Sequence, residues 1–205
     1  MLLAALPPHR RSAFRGFGAL PRVEPERDTE APAPPPYTAA RQERTAMPED
    51  LRIAVGGDRA GAAYATALAD HLAAHPQVGP IIRVGAGDEQ LPYPDVAFAA
   101  AQLIAAHHAD RALLVCHTGL GMAIAANKVH GVRAVTAHDP LSVEHAVTHN
   151  NAQVLCLGAG VIGLKLAAYL TSHWLGHTFD PASRAASKVA LITAHEQRRI
   201  HPAPC

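Results

Sequence analysis

Cys116, Thr118, Gly119 and Gly121 stand together in the run Cys116-His117-Thr118-Gly119-Leu120-Gly121, and these residue types at this spacing suit proton transfer. A thiolate is a base or a nucleophile. Glycines let backbone amides approach an oxyanion, and a neighbouring hydroxyl adds a donor, so the turn can hold an enediolate. The plainer alternative is a Cys that ends an apolar strand as a small buried hydrophobe. A second glycine-rich turn, Gly56-Gly57-Asp58-Arg59-Ala60-Gly61, offers a carboxylate and a guanidinium. Its plainer reading is N-cap chemistry for the helix that follows. A dinucleotide fingerprint fits it badly, because the glycine spacing is wrong and no acidic residue ends the next strand.

Both turns depend on the elements around them. From Leu51 onward, short β-branched apolar runs alternate with Ala-rich segments of helical period, the pattern of successive βα units on a parallel sheet. Strands are expected at Leu51 to Val55, Ile81 to Val84, Ala112 to Val115, Val132 to Thr136 and Val154 to Leu157. Helices are expected near Ala60 to Ala74, Val96 to His107, Met122 to Lys128, Leu141 to Thr148, Val161 to Leu175 and Pro181 to Arg198. The fold class is therefore α/β: a three-layer, doubly wound, Rossmann-like parallel sheet of five strands with an extra C-terminal helix. Right-handed crossovers put helices on both faces, and ligands in such sheets bind beyond the carboxyl ends of the strands. That rule selects Gly56 to Arg59, Cys116 to Gly121, and His138-Asp139. At Cys116 the following helix would point its positive amino end at the sulfur, which lowers a thiol pKa from about 8.5.

Composition narrows the class. The chain has 205 residues, 49% of them hydrophobic, and a net charge of +1, enough for a sizeable core and without the basic stripe that nucleic acid requires. Apolar runs fall short of the roughly 20 residues that span a bilayer, so no membrane segment is expected. Three cysteines, Cys116, Cys156 and Cys205, are an odd count in a chain too large to need disulfide staples, which points to reduced thiols and the cytoplasm. Residues 1–48 are rich in Pro, Arg and Ala, including Ala31 to Pro36, and read as a disordered extension. Met47 sits just before the first strand, where translation could equally begin. Residues 49–198 form the expected domain and 199–205 a flexible tail.

Two histidine pairs, His145/His149 and His173/His177, have the i, i+4 spacing that can share a metal, yet no carboxylate or third His joins either at a recognisable interval. No metal site is therefore assigned. Hydrolysis by a Ser-His-Asp triad is disfavoured, since no Ser occupies a Gly-x-Ser-x-Gly elbow.

The residues from about Leu51 to Gln197 resemble the ribose-5-phosphate isomerase B and galactose-6-phosphate isomerase family. The resemblance rests on Gly57-Asp58-Arg59-Ala60-Gly61, Leu91-Pro-Tyr-Pro-Asp95, Cys116 to Lys128, Gly131-Val-Arg-Ala134 and His149-Asn150-Asn151-Ala152. It implies interconversion of an aldose and a ketose phosphate through a cis-enediolate, with no metal or organic cofactor. By resemblance, Cys116 is the base between C1 and C2, Thr118 and the backbone of Gly119, Leu120 and Gly121 hold the enediolate, and Asp58 handles hydroxyl protons. His149 matches a ring-opening position with Asn150 beside it, Arg184 and Lys188 match cations that hold the phosphate, and Tyr93 lines the pocket. The resemblance also implies a homodimer or homotetramer with each site built across the interface.

Four positions depart from the family pattern. Arg59 stands where His is usual in ribose-specific members, His117 where Gly is usual, Gly160 where an Arg often contributes to the phosphate site, and Lys188 where Arg is common. Arg59 could replace the guanidinium lost at Gly160. The Gly-Asp start and Ala137-His138-Asp139-Pro140 resemble a branch that acts on erythrulose 4-phosphate. A tetrose 4-phosphate cannot close a furanose ring and needs no ring opener, so His149 favours ribose 5-phosphate and ribulose 5-phosphate as the pair interconverted. A sugar-phosphate binding protein without activity is the remaining alternative, motivated by His117 and Gly160.

Overall fold

The computed structural model describes residues 50–85 and 90–200. The expected extension, Cys205 and the last residues of the expected tail lie outside them. Five strands, β1 (Leu51–Gly57), β2 (Val78–Val84), β3 (Arg111–Cys116), β4 (Ala134–Thr136) and β5 (Val154–Gly158), form one sheet. Every pairing is parallel, and the order is β2-β1-β3-β5-β4. Six helices among the described residues accompany it: α1 (Ala62–Ala73), α2 (Tyr93–Ala105), α3 (Leu120–Ala126), α4 (Pro140–Thr148), α5 (Leu164–Leu175) and α6 (Ala186–Ile200).

The sheet is covered on both sides, which is why its central strands read as continuous apolar runs. All residues of β3 and β5 are buried. Alternation divides them between two cores. Ile53, Val55, Leu113, Val115, Leu155 and Leu157 meet α1, α4 and α5. Ala54, Ala112, Leu114, Cys116, Val154 and Cys156 meet α2 and α3. Pro80, which cannot donate to a ladder, lies in the edge strand β2, the position where a sheet tolerates it.

Strand order creates the crevice. β1 and β3 are neighbours, with Gly57 opposite Val115, but β1 leads to α1 on one face and β3 leads to α3 on the other. Their carboxyl ends therefore part at a topological switch point, where open α/β sheets bind ligands. At the opposite, amino edge, buried Arg111 starts β3 and its guanidinium donates to the carbonyls of Trp174 (2.6 Å) and His177. The same guanidinium lies over the Trp174 ring, 5.1 Å from its centroid, and burial pulls its pKa down to about 10.

Two element boundaries differ from the sequence reading in ways that matter for the site. β1 runs on through Gly57, so the carboxyl end of the strand delivers Asp58 directly. The final helix starts at Ala186 rather than near Pro181, because turns closed by Ser183 N–H to the Asp180 carbonyl and Ala186 N–H to the Ser183 carbonyl come first. Arg184 thus sits in a turn and Lys188 in the first turn of α6, not together on one regular helix.

Candidate active site

Cys116 is the last residue of β3 and only 6% exposed. The chain then turns sharply enough for the Gly119 N–H to donate back to the Cys116 Sγ at 3.1 Å. Gly119 has φ of +80°, a left-handed conformation that glycine adopts without strain. A Cβ there would also press on Thr136 Cγ2 at 3.0 Å and the Cys156 carbonyl at 3.1 Å. Its carbonyl accepts the Thr136 hydroxyl at 3.0 Å, so the end of β4 braces the turn. Leu120, Gly121 and Met122 open α3 and have no intrahelical acceptor for their N–H groups. The structure thus separates two sets of donors: one amide faces the sulfur, and the next ones are directed outward from the helix start.

The other carboxyl-edge residues gather around this turn. The loop after β1 lies directly on β3, because Gly61 packs against the Val115 carbonyl so closely that a Cβ would collide with it, and the Asp58 N–H donates to that same oxygen at 3.3 Å. Asp58 Oδ1 accepts the N–H groups of Ala60 and Gly61, both at 3.0 Å. Part of its role is therefore the plain turn-forming one. Arg59 is exposed beside it. Tyr93 opens α2 and lays its ring on the first turn of α3, where a Cβ at Gly121 would come within 2.6 Å of Tyr93 Cε2. Asp58, Arg59, Tyr93, Cys116, Thr118, Gly119, Leu120 and Gly121 are thus brought to one edge of the sheet.

The remaining residues expected at the site are elsewhere. His149 caps the C-terminus of α4 and Asn150 follows it, immediately before the chain enters β5 at Val154. Four residue steps along β5, about 13 Å of strand, separate that amino edge from the Cys116 level, where Gly158 is opposite Cys116. Arg184 follows the segment 178–181, which borders Asp110, Arg111 and Gln153 at the strand starts. Lys188 lies in the first turn of α6, whose later part docks near the start of β4 through the Gly131 N–H donating to Glu196 Oε1 at 3.0 Å. His149, Asn150, Arg184 and Lys188 are all exposed.

Three features go beyond the sequence reading, which selects His138 only by its place after a strand. The Thr136 hydroxyl was within reach of the strand-end rule, since it closes β4, but nothing local marked its acceptor. His138, just past β4, accepts the Gly158 N–H at Nε2 (2.9 Å) and so ties the end of β4 to that of β5. Burial holds its pKa below the ordinary imidazole value, with Asp139 opposing. The third feature joins two of the departures noted above. The His117 imidazole lies on Gly160 so closely that any side chain at 160 would collide with it, while the Gly160 N–H donates to the His117 carbonyl at 2.9 Å. The two positions share one volume. The other described thiol, Cys156, is fully enclosed, and burial pushes its pKa far above the ordinary range, leaving Cys116 as the described thiol at a strand end.

A family model described as Ribose/Galactose Isomerase matches residues 53–192. The chain is similar to D-erythrulose-4-phosphate isomerase 2 of Mycolicibacterium smegmatis, with 55% identity over 148 residues that cover 71% of this chain and 97% of the relative. It is also similar to ribose-5-phosphate isomerase B of Escherichia coli, at 36% identity over 148 residues covering 72% and 98% of the two chains. Among solved structures, the type B ribose 5-phosphate isomerase of Leishmania infantum superposes with a TM-score of 0.70 at 30% identity, covering 73% of this chain and 99% of that one.

Proposed function

We propose, for a chain that belongs to the ribose/galactose isomerase family, that it interconverts an aldose phosphate and a ketose phosphate of four carbons, with Cys116 as the base. The observation that carries this reading is the sulfur at the end of β3, held by the Gly119 amide beside the opening of α3. The Cys116 thiolate removes the proton from the carbon next to the substrate carbonyl. The electron pair moves into the carbon–carbon bond, giving a cis-enediolate, and the thiol returns the proton to the neighbouring carbon. The outward amides of Leu120 and Gly121 and the Thr118 hydroxyl stabilise the enediolate oxygen. Gly119 stabilises the sulfur instead, which refines the role expected for it. Asp58, fixed by the turn it forms, moves the hydroxyl proton, and Tyr93 walls the pocket.

The phosphate-holding cations, with His149 and Asn150, are supplied by a second copy of the chain. His149 and Asn150 stand before the start of β5, away from the Cys116 level, and the surface next to Cys116 carries exposed Leu120 (58%) and Ile124 (63%) on α3. A partner that covers these apolar side chains can bring its own amino-edge group to the thiol. Arg59, on the same chain as Cys116, adds a guanidinium to the phosphate end.

Two observations support erythrulose 4-phosphate over ribose 5-phosphate, reversing the preference drawn from His149. The 55% identical relative carries the name of an erythrulose-4-phosphate isomerase. In addition, the His117 ring fills the space above Gly160, and on this reading it shortens the room left for the sugar phosphate. A coupled assay with both sugars tests the choice: kcat/KM is expected to be higher for erythrulose 4-phosphate, and a higher value for ribose 5-phosphate would return the reading to the pentose.

A further inference from the structure

Glu144, His173 and His177 come together from separate stretches of sequence, at a place the isomerase site does not use. Glu144 lies in the middle of α4, His173 in the last turn of α5, and His177 just beyond that helix. Their potential ligand atoms all lie within 4.8 Å of one another, and each residue is partly buried. The two Nε2 atoms are 3.3 Å apart and the rings meet edge to face. Two nitrogens bound at about 2.0–2.1 Å in a tetrahedral zinc site are separated by about 3.3–3.4 Å, so the pair is already spaced as such a site requires. The Glu144 carboxylate beside them is the anionic group that would complete the two-histidine, one-carboxylate set that zinc accepts with water in the fourth position.

We infer that Glu144, His173 and His177 form a zinc-class divalent metal site that fastens α4 to α5. Its geometry owes nothing to the isomerase reading. Both helices cover the same face of the sheet, away from α3 and the thiol turn. The Tyr169 ring stacks against His173 with centroids 6.0 Å apart, which restricts that imidazole. On the other side, Arg111 donates to the His177 carbonyl and anchors the chain that carries the ring. Arg111 also brings a positive charge, which weakens cation binding, and the Glu144 carboxylate offsets it.

The full chain, freed of metal with a chelator, is titrated with Co²⁺ under visible spectroscopy and with Zn²⁺ by calorimetry. The site predicts one Co²⁺ per chain with the intense ligand-field bands of tetrahedral coordination, displaced by Zn²⁺, and no thiolate-to-metal charge transfer. Zinc raises the melting temperature of the wild type. Glu144→Gln, His173→Ala and His177→Ala each lose at least about tenfold in affinity, since even indirect partners of ligands are worth that much. His145→Ala, one residue from Glu144 on the same helix, keeps the affinity. Binding that survives in His173→Ala and Glu144→Gln, a thiolate charge-transfer band, or no tetrahedral spectrum in the wild type would each overturn the assignment. Circular dichroism of the variants separates loss of a ligand from loss of the fold.

Discussion

At the residue scale, His117 and Gly160 behave as one unit, since the imidazole takes the volume a side chain at 160 would need. His117 is exposed, so its ring can swing outward, and Gly160→Arg alone should cost less than about 1 kcal/mol of stability, in line with surface substitutions. The larger effect belongs to substrate choice. The double variant His117→Gly/Gly160→Arg opens the volume and adds a guanidinium, so its ratio of kcat/KM for ribose 5-phosphate over erythrulose 4-phosphate should rise above that of the wild type. An unchanged ratio in the coupled assay would detach His117 from specificity. The thiol turn itself was legible in the sequence, because a Cys, a hydroxyl and two glycines stood where a buried strand meets a helix. The pairing of His117 with Gly160 was not. Each looked like an independent departure until the parallel ends of β3 and β5 set them side by side.

At the scale of elements, two side-chain-to-backbone ties hold strand ends and each gives a measurable expectation. His138 accepts the Gly158 N–H through Nε2, and protonation of that nitrogen removes the bond. Its pKa is lowered in the fold, chiefly by burial, so the stabilisation is complete above the unfolded value of about 6.5 and disappears as pH falls through the folded value. The melting temperature should therefore drop between about pH 7 and about pH 5 more steeply in the wild type than in His138→Gln, whose amide keeps an acceptor without titrating. Parallel slopes would show that the tie contributes nothing. At the other edge, Arg111→Met leaves the Trp174 and His177 carbonyls without their guanidinium donor and should cost about 1–3 kcal/mol in urea unfolding. The number and sequence of strands and helices followed from apolar period alone. The placement of β5 between β3 and β4 did not, because crossover order depends on which helix packs on which face, and the Ala-rich helices carry little to distinguish them.

At the scale of the whole molecule, the proposed isomerase has two parts: the thiol turn at the carboxyl edge, and His149 with Arg184 and Lys188, assigned to a partner chain. The family resemblance named the members of both groups, but the sequence by itself gave no distance between them. The geometry now makes the dimer testable. A Cys116→Ala chain and an Arg184→Ala chain, each inactive or weak alone, should recover activity when unfolded and refolded together, because one of the two sites in a mixed dimer takes both intact residues. Random pairing puts recovery at about a quarter of the wild-type sites. If mixing restored nothing, Arg184 would have to act within its own chain.

The central claim is that Cys116 moves the proton, and steady-state turnover of erythrulose 4-phosphate by Cys116→Ala, with substrate binding measured by calorimetry on the same protein, tests it most directly. The account predicts that kcat falls at least about 100-fold, the scale of a lost general base, while the sugar phosphate still binds and the melting temperature holds. Turnover at the wild-type rate by a folded, substrate-binding Cys116→Ala chain would contradict it.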